Sequence, residues 1–241
     1  NFVVMNYTAN ALLACGASPV MAHAKEEVEE MVMIANALVL NIGTLEPEWV
    51  QAMDLAAEKA SREGIPVVLD PVGAGATKYR TETAKGLLQK GYISVLRGNS
   101  SEILALSGEK ARTRGVDALH ETEEAVGVAK EIARTYHTIV AVTGPVDLVT
   151  DGETILRIRN GHPLMGKVTG TGCTATAIIG AFCGVTPDYL MATASALAYF
   201  GAVGEVAALT VSTPGSYMIA LLDTLYSLLP EDLIQQAKID T

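Results

Sequence analysis

A chain of 241 residues has room for one large domain or two small ones. Hydrophobic residues make up 49% and charged ones 18%, which supplies a sizeable core and excludes wholesale disorder. The net charge of −10, from 17 Lys and Arg against 27 Asp and Glu, argues against a nucleic-acid partner, whose phosphates demand a positive surplus.

Aromatic residues are only 5%, with one Trp and 22 Gly. That composition suits close helix–sheet packing and poorly suits an aromatic-rich β-sandwich. Cys15, Cys173 and Cys183 are an odd number in a long chain, so a reducing, cytoplasmic setting is expected rather than a disulfide framework. Mean hydropathy is +0.30, and Val168–Pro187 runs 20 residues without a charge, about the length of a membrane span. Its four glycines, five threonines and closing proline favour buried helix instead, and no membrane association is expected. The first residue is Asn rather than Met, so an earlier segment is expected to precede it.

In chain order, Glu26, Glu27, Glu29 and Glu30 read as a solvated helix face. Leu38–Asn41 (LVLN) is an apolar run closed by one polar residue and a glycine turn. Glu46–Arg62 has helical period, with Val50, Met53, Ala57 and Ala60 on one face. Val67–Asp70 (VVLD) repeats the run, Thr83–Gln89 the helix, Ser94–Arg97 (SVLR) the run, Thr122–Tyr136 the helix and Val140–Thr143 (VAVT) the run. Continuous apolar runs indicate strands buried on both faces of a parallel sheet, and strand–helix alternation indicates an α/β layer structure. Val146–Thr150 and Thr154–Ile158 flank Asp151-Gly152, a hairpin signal that puts an antiparallel pair at one sheet edge. Cys173–Cys183, Tyr189–Leu209 and Pro214–Leu229 are apolar helical stretches with few charges. They imply deep burial or an oligomer interface, and the second is the expectation. Without repeats or a linker, residues 1–241 read as a single domain.

Ligands of open parallel sheets bind beyond the carboxyl ends of the strands. The residues closing the four runs are Asn41, Asp70, Arg97 and Thr143, and neighbouring strands would bring them to one rim. Asp70 suits a hard cation such as Mg²⁺, or a water-orienting role. In Asn99-Ser100-Ser101-Glu102, Asn99 or Ser100 could cap a helix that Glu102 begins. Alternatively, Glu102 stands beside a metal and Arg97 against phosphate oxygens. The turn Gly170-Thr171-Gly172 before a small-residue helix is an anion hole in form, with backbone N–H groups and a helix dipole facing one point. Cys173 falls in the first turn of that helix, where the dipole favours a thiolate; it reads as nucleophile, base or packing residue. His23, His120, His137 and His162 show no metal spacing and read as surface or cap residues.

With these residues assembled, the chain resembles the hydroxyethylthiazole kinase family of the ribokinase-like superfamily. The similarity is carried by Asn6–Ala24, NIGTL at Asn41–Leu45, VVLDPVGAGATKYRT at Val67–Thr81, RGNSSE at Arg97–Glu102, VTGPVDLVT at Val142–Thr150, NGHPLMGKVTGTGCTA at Asn160–Ala175 and Pro214-Gly215-Ser216-Tyr217. The resemblance implies a central, mainly parallel sheet with helices on both faces. It implies ATP-dependent phosphorylation of 4-methyl-5-(2-hydroxyethyl)thiazole, a thiamine salvage step, with Mg²⁺ and a homotrimer carrying interfacial sites. By matched position it assigns Met21 and Gly170 to the thiazole, Arg97 and Thr143 to the nucleotide, and Asp70 and Glu102 to metal and phosphates. Cys173 is placed nearest the reacting hydroxyl. The family carries a strand ahead of this start, ending in Ile-Thr-Asn, of which Asn1 matches the last residue, so Asn1 is assigned to the substrate pocket. Many superfamily members hold an Asp base where this chain has Cys173, which leaves the base open. The remaining alternatives are a hydroxymethylpyrimidine kinase, a nucleotide-hydrate repair enzyme, a thiol hydrolase built on Cys173, and a non-catalytic nucleotide-binding module.

Overall fold

The structure is a computed structural model that describes residues 1–107 and 118–241, leaving aside the side chains of residues 118–124. His120 and the first three side chains of the helix expected at 122–136 therefore lie outside the described residues. Each apolar run forms a strand: β1 (Leu38–Asn41), β2 (Val67–Asp70), β3 (Val95–Asn99) and β4 (Ile139–Thr143) are parallel neighbours in that order. Next come β5 (Asp147–Thr150) and β6 (Ile155–Ile158), an antiparallel continuation of the same sheet. The hairpin does not end the sheet, because β7 (Ile239–Asp240) pairs antiparallel with β6 and takes the edge.

Strand order never reverses from β1 to β4, and right-handed crossovers then place every intervening helix on one face. That face carries α3 (Pro47–Arg62), α4 (Lys78–Gln89), α5 (Ser100–Leu106) and α6 (Ala118–Tyr136), together with α2 (Val28–Met33). The opposite face must be covered from the two ends of the chain. It is covered by α1 (Met5–Ala14), α7 (Thr171–Cys183), α8 (Tyr189–Ala208) and α9 (Pro214–Ser227), with α10 (Pro230–Gln236) following. Helix α4 starts earlier than the apolar period suggests because the Thr77 hydroxyl accepts the Arg80 backbone N–H at 3.2 Å and caps it. Glu26, Glu27, Glu29 and Glu30 are exposed at the start of α2, as expected.

The apolar carboxyl-terminal helices divide between the two explanations. Helices α7 and α8 are spent on burial against the sheet, which corrects the preference for an interface there. Helix α8 is long and apolar enough to cross a membrane, but 67% of its apolar window is buried inside this fold, as in a core helix. Helix α9 keeps several large apolar side chains exposed, Met218, Ile219 and Tyr226 among them, whereas α8 exposes Met191 in its first turn.

Side-chain alternation sets up the site. Leu40, Leu69, Leu96, Val140 and Val142 join the core under α3–α6. Val39, Val68, Val95, Ala141 and Val149 face α7 and α8. Two residues beyond Val39, Val68, Val95 and Ala141 stand Asn41, Asp70, Arg97 and Thr143, and two before Val149 stands Asp147. Since strand side chains repeat every second residue, all five turn toward the start of α7.

Candidate active site

Four strand ends converge there. Asn41 is in register with Asp70, and its Nδ2 donates to Asp70 Oδ2 at 3.3 Å. Arg97 Nη1 lies 3.7 Å from the same oxygen, with side chains 12% and 1% exposed. The other Nη of Arg97 donates to the Thr143 hydroxyl. From α7, Thr176 Oγ1 donates to Asp70 Oδ2 at 2.7 Å. Oδ2 is thus fully engaged, while Asp70 Oδ1 is buried without a hydrogen-bond partner among the described residues. Burial pushes the Asp70 carboxyl up to about 6, against the opposing pull of Arg97 and Thr176.

The glycine turn is built as the sequence suggests. Gly170 stands at φ +87° before the first residue of α7, a conformation that favours glycine. A Cβ on Gly172 would fall 2.7 Å from Arg97 Nη1, so the guanidinium fits under the helix start only because Gly172 has none. No side chain caps this helix. Among the described residues the N–H groups of Thr171, Gly172 and Cys173 meet no protein acceptor, which leaves an anion cradle beside Arg97. Thr171 ties the turn down, its hydroxyl donating to the Met165 carbonyl at 2.9 Å.

Glu102 satisfies the capping expectation while facing the site. Asn99 Oδ1 accepts the Glu102 N–H at 2.9 Å and Glu102 Oε2 accepts the Asn99 N–H at 2.9 Å, a reciprocal capping box on α5. Its other oxygen accepts the Gly73 N–H at 2.8 Å. Among the described residues no three His, Cys, Asp or Glu side chains gather as a metal cage.

At Cys173 the surroundings oppose the helix dipole. Burial first, then the neighbouring Asp70 charge, pushes its thiol up, and these outweigh the dipole that favours a thiolate. Among the described residues no histidine hydrogen-bonds to it; Asn1 Nδ2 does, at 3.6 Å. His23 stacks on Trp49 with ring centroids 4.8 Å apart, His137 is exposed, and His162 Nδ1 caps the short turn Pro163–Lys167. The activated Cys–His pair that a thiol hydrolase needs is therefore not formed among the described residues. Met21 stands 40% exposed on the loop between α1 and α2, and among the described residues no hydrogen bond links it to the strand-end cluster.

Two site residues escaped the sequence reading. Asp147 opens β5, and its Oδ1 accepts the Gly144 N–H at 2.9 Å, folding the turn that follows Thr143. Burial pushes its carboxyl up to about 6, partly offset by that N–H and by Arg97. Thr176 supplies the hydroxyl on Asp70. The two-residue period could have found Asp147, by reading the alternation of Val149 backward.

A family model described as the hydroxyethylthiazole kinase family matches residues 1–231. A hydroxyethylthiazole kinase from Desulfotalea psychrophila is 55% identical over 239 residues, 99% of this chain and 88% of the relative. The solved hydroxyethylthiazole kinase protein of Pyrococcus horikoshii superposes with a TM-score of 0.92 at 49% identity, covering 100% of this chain and 90% of that one. A ribokinase-like superfamily protein from Enterococcus faecalis shares the fold at a TM-score of 0.59 and 17% identity, covering 91% of this chain and 80% of that one. With the strand-end cluster and glycine cradle these matches agree: the chain belongs to the hydroxyethylthiazole kinase family and has a ribokinase-like fold.

Proposed function

We propose that the chain transfers the γ-phosphoryl group of ATP to the primary hydroxyl of 4-methyl-5-(2-hydroxyethyl)thiazole, as one kinase domain over residues 1–241. The observation that carries this is the meeting of Asp70, Arg97 and the free amides of α7 at one point. Phosphoryl transfer passes through a loose transition state, so the protein acts mainly by positioning groups and neutralising charge. Arg97 and Thr143 hold the nucleotide's phosphates, Arg97 as a forked cation. The Gly170-Thr171-Gly172 amides receive charge on the migrating group. Cys173, a neutral thiol, lies against the acceptor hydroxyl beside Gly170, and Asn1 and Met21 complete the thiazole pocket.

Asp70 and Glu102 would hold Mg²⁺. The unpartnered Asp70 Oδ1 supports this, since Mg²⁺ takes one or two carboxylates plus phosphates and water rather than a closed protein cage. When bound, the ion supplies charge neutralisation on the phosphates. This reading includes a homotrimer with interfacial sites, and the apolar exposure of neighbouring α1 and α9, where Leu13 is 59%, Ile219 59% and Tyr226 81% exposed, supports a contact between subunits there. Three free cysteines support a cytoplasmic setting.

Mg²⁺-dependent ADP release, coupled to NADH oxidation, is expected only when the thiazole alcohol is present. Release at equal rate with hydroxymethylpyrimidine, or none with the thiazole, would remove this reading. Because Cys173 is neutral and only supports the alcohol, Cys173→Ala is expected to keep measurable kinase turnover. Total loss of turnover with ATP binding intact would show instead that the thiol carries the chemistry.

A further inference from the structure

Arg80 occupies the first turn of α4 and makes no ion pair among the described residues. Helical side chains lean toward their own amino terminus, which here brings the guanidinium between the loops after β1 and β2. Nη1 donates to the Ile42 carbonyl at 3.0 Å and to the Val72 carbonyl at 2.7 Å, and Nη2 donates to the Gly43 carbonyl at 2.9 Å. The second loop is shaped to admit it. Gly73 sits at φ +76°, and a Cβ there would fall 3.0 Å from Arg80 Cδ.

The two carbonyls on Nη1 belong to peptide units whose other ends reach the site. A trans peptide points its C=O and N–H in opposite directions. The Ile42 carbonyl is joined to the Gly43 N–H, which donates to Asn41 Oδ1 at 2.9 Å. Fixing that oxygen leaves Asn41 Nδ2 aimed at Asp70. The Val72 carbonyl is joined to the Gly73 N–H, which donates to Glu102 Oε1 at 2.8 Å. One nitrogen therefore holds two peptide planes, and each plane presents its amide to a different site side chain. A cation on the carbonyl end also polarises the peptide and strengthens the hydrogen bond its N–H makes.

We infer that Arg80 is a positioning residue of the kinase site, fixing Asn41 and Glu102 at once through the Ile42–Gly43 and Val72–Gly73 peptide planes. The inference rests on the phosphotransferase reading for the roles of Asn41 and Glu102. Among the described residues the Arg80 guanidinium hydrogen-bonds neither of them and meets only backbone oxygens. A lysine cannot replace it, because one ammonium lacks the planar fork that spans both loops.

The test compares wild type, Arg80→Ala and Arg80→Lys in three measurements. Outer contacts of this kind are worth about 10- to 100-fold in activity. Arg80→Ala is accordingly expected to lose about that much kcat at saturating ATP and thiazole alcohol, with a smaller change in the KM for thiazole. Guanidinium chloride, at concentrations on the order of 10 mM where wild type is unaffected, is expected to restore several-fold of the lost rate in Arg80→Ala by refilling the gap. Amide exchange followed by NMR should show Gly43 and Gly73 losing protection in both variants while the amides of β3 and β4 keep theirs. If Arg80→Ala does not fold, Arg80→Lys carries the same kcat and exchange expectations. Wild-type kcat in a folded variant, or unchanged Gly43 and Gly73 exchange, would overturn the assignment. Should wild type itself not phosphorylate the thiazole, the kinase reading fails separately, and the exchange measurement still judges Arg80.

Discussion

Replacing Asp70 with Asn is expected to make the metal-free protein more stable at pH 8 and to reduce thiazole phosphorylation at least about 100-fold, the scale of losing one preorganised charged group. The stability side follows from burial. Asp70 is 0% exposed and its carboxyl is pushed up to about 6 from 3.8. A raised carboxyl binds its proton more tightly in the folded state. The associated stability is fully present below about pH 4 and is lost as pH rises through 6. Above that, wild type carries an ionised carboxylate that burial penalises by about 2–3 kcal/mol, and Asp70→Asn does not. Thr176 and Asn41 both donate to the position, and a carboxamide oxygen still accepts from both, though more weakly than an ionised carboxylate. For a chain of this size the gain converts to about 5 °C in Tm. In chelator, the difference should be clear at pH 8 and gone near pH 4. Asp147, also raised to about 6, tilts both curves alike and cancels in the comparison. A variant that is less stable than wild type at pH 8 would mean that Asp70 is held by its partners more than it is opposed by burial. Unchanged turnover would remove Asp70 from the site.

The rim was legible in the sequence because the fold writes it in a local code. Strands buried on both faces must be apolar throughout, so a polar residue ending such a run is conspicuous, and Asn41, Asp70, Arg97 and Thr143 were all found that way. Their shared direction was legible too, since each lies two residues beyond a side chain facing α7. What stayed hidden depends on partners far along the chain. Thr176 meets Asp70 across 106 positions and is one small helical residue among many. Arg80 carries no local signal of its role, and its three carbonyl partners appear only once two loops are folded beside it. Cys173 stayed open for the same reason: the helix dipole is visible locally, whereas the burial and the Asp70 charge that outweigh it are not. At Glu102 the capping half of the sequence reading is what the structure builds: one oxygen closes the capping box with Asn99 and the other accepts the Gly73 N–H, a partner that becomes visible only once the loop after β2 is folded.

Arg97→Gln is expected to lower kcat/KM for ATP by about 100- to 1,000-fold, the range for removing a preorganised donor to transition-state charge, and to destabilise the protein. Removing one member of a buried ion pair costs up to about 3–5 kcal/mol because the other charge is left uncompensated. Here the penalty has an escape. Arg97 is the largest influence holding the Asp70 carboxyl down, so without it Asp70 takes up a proton near neutral pH and sheds part of the cost. The destabilisation should therefore grow between pH 6 and pH 9, and residual turnover should shift its optimum to higher pH, where Asp70 ionises again. The double variant Asp70→Asn/Arg97→Gln separates the two charges. If the guanidinium mainly compensates Asp70, Arg97→Gln should cost about 2 kcal/mol less in the Asp70→Asn background than in wild type, with no return of activity. An additive pair would mean that Arg97 is held by Thr143 and the α7 turn independently of Asp70. It would also mean that the carboxylate at the centre of the site is stabilised by something other than the cation beside it.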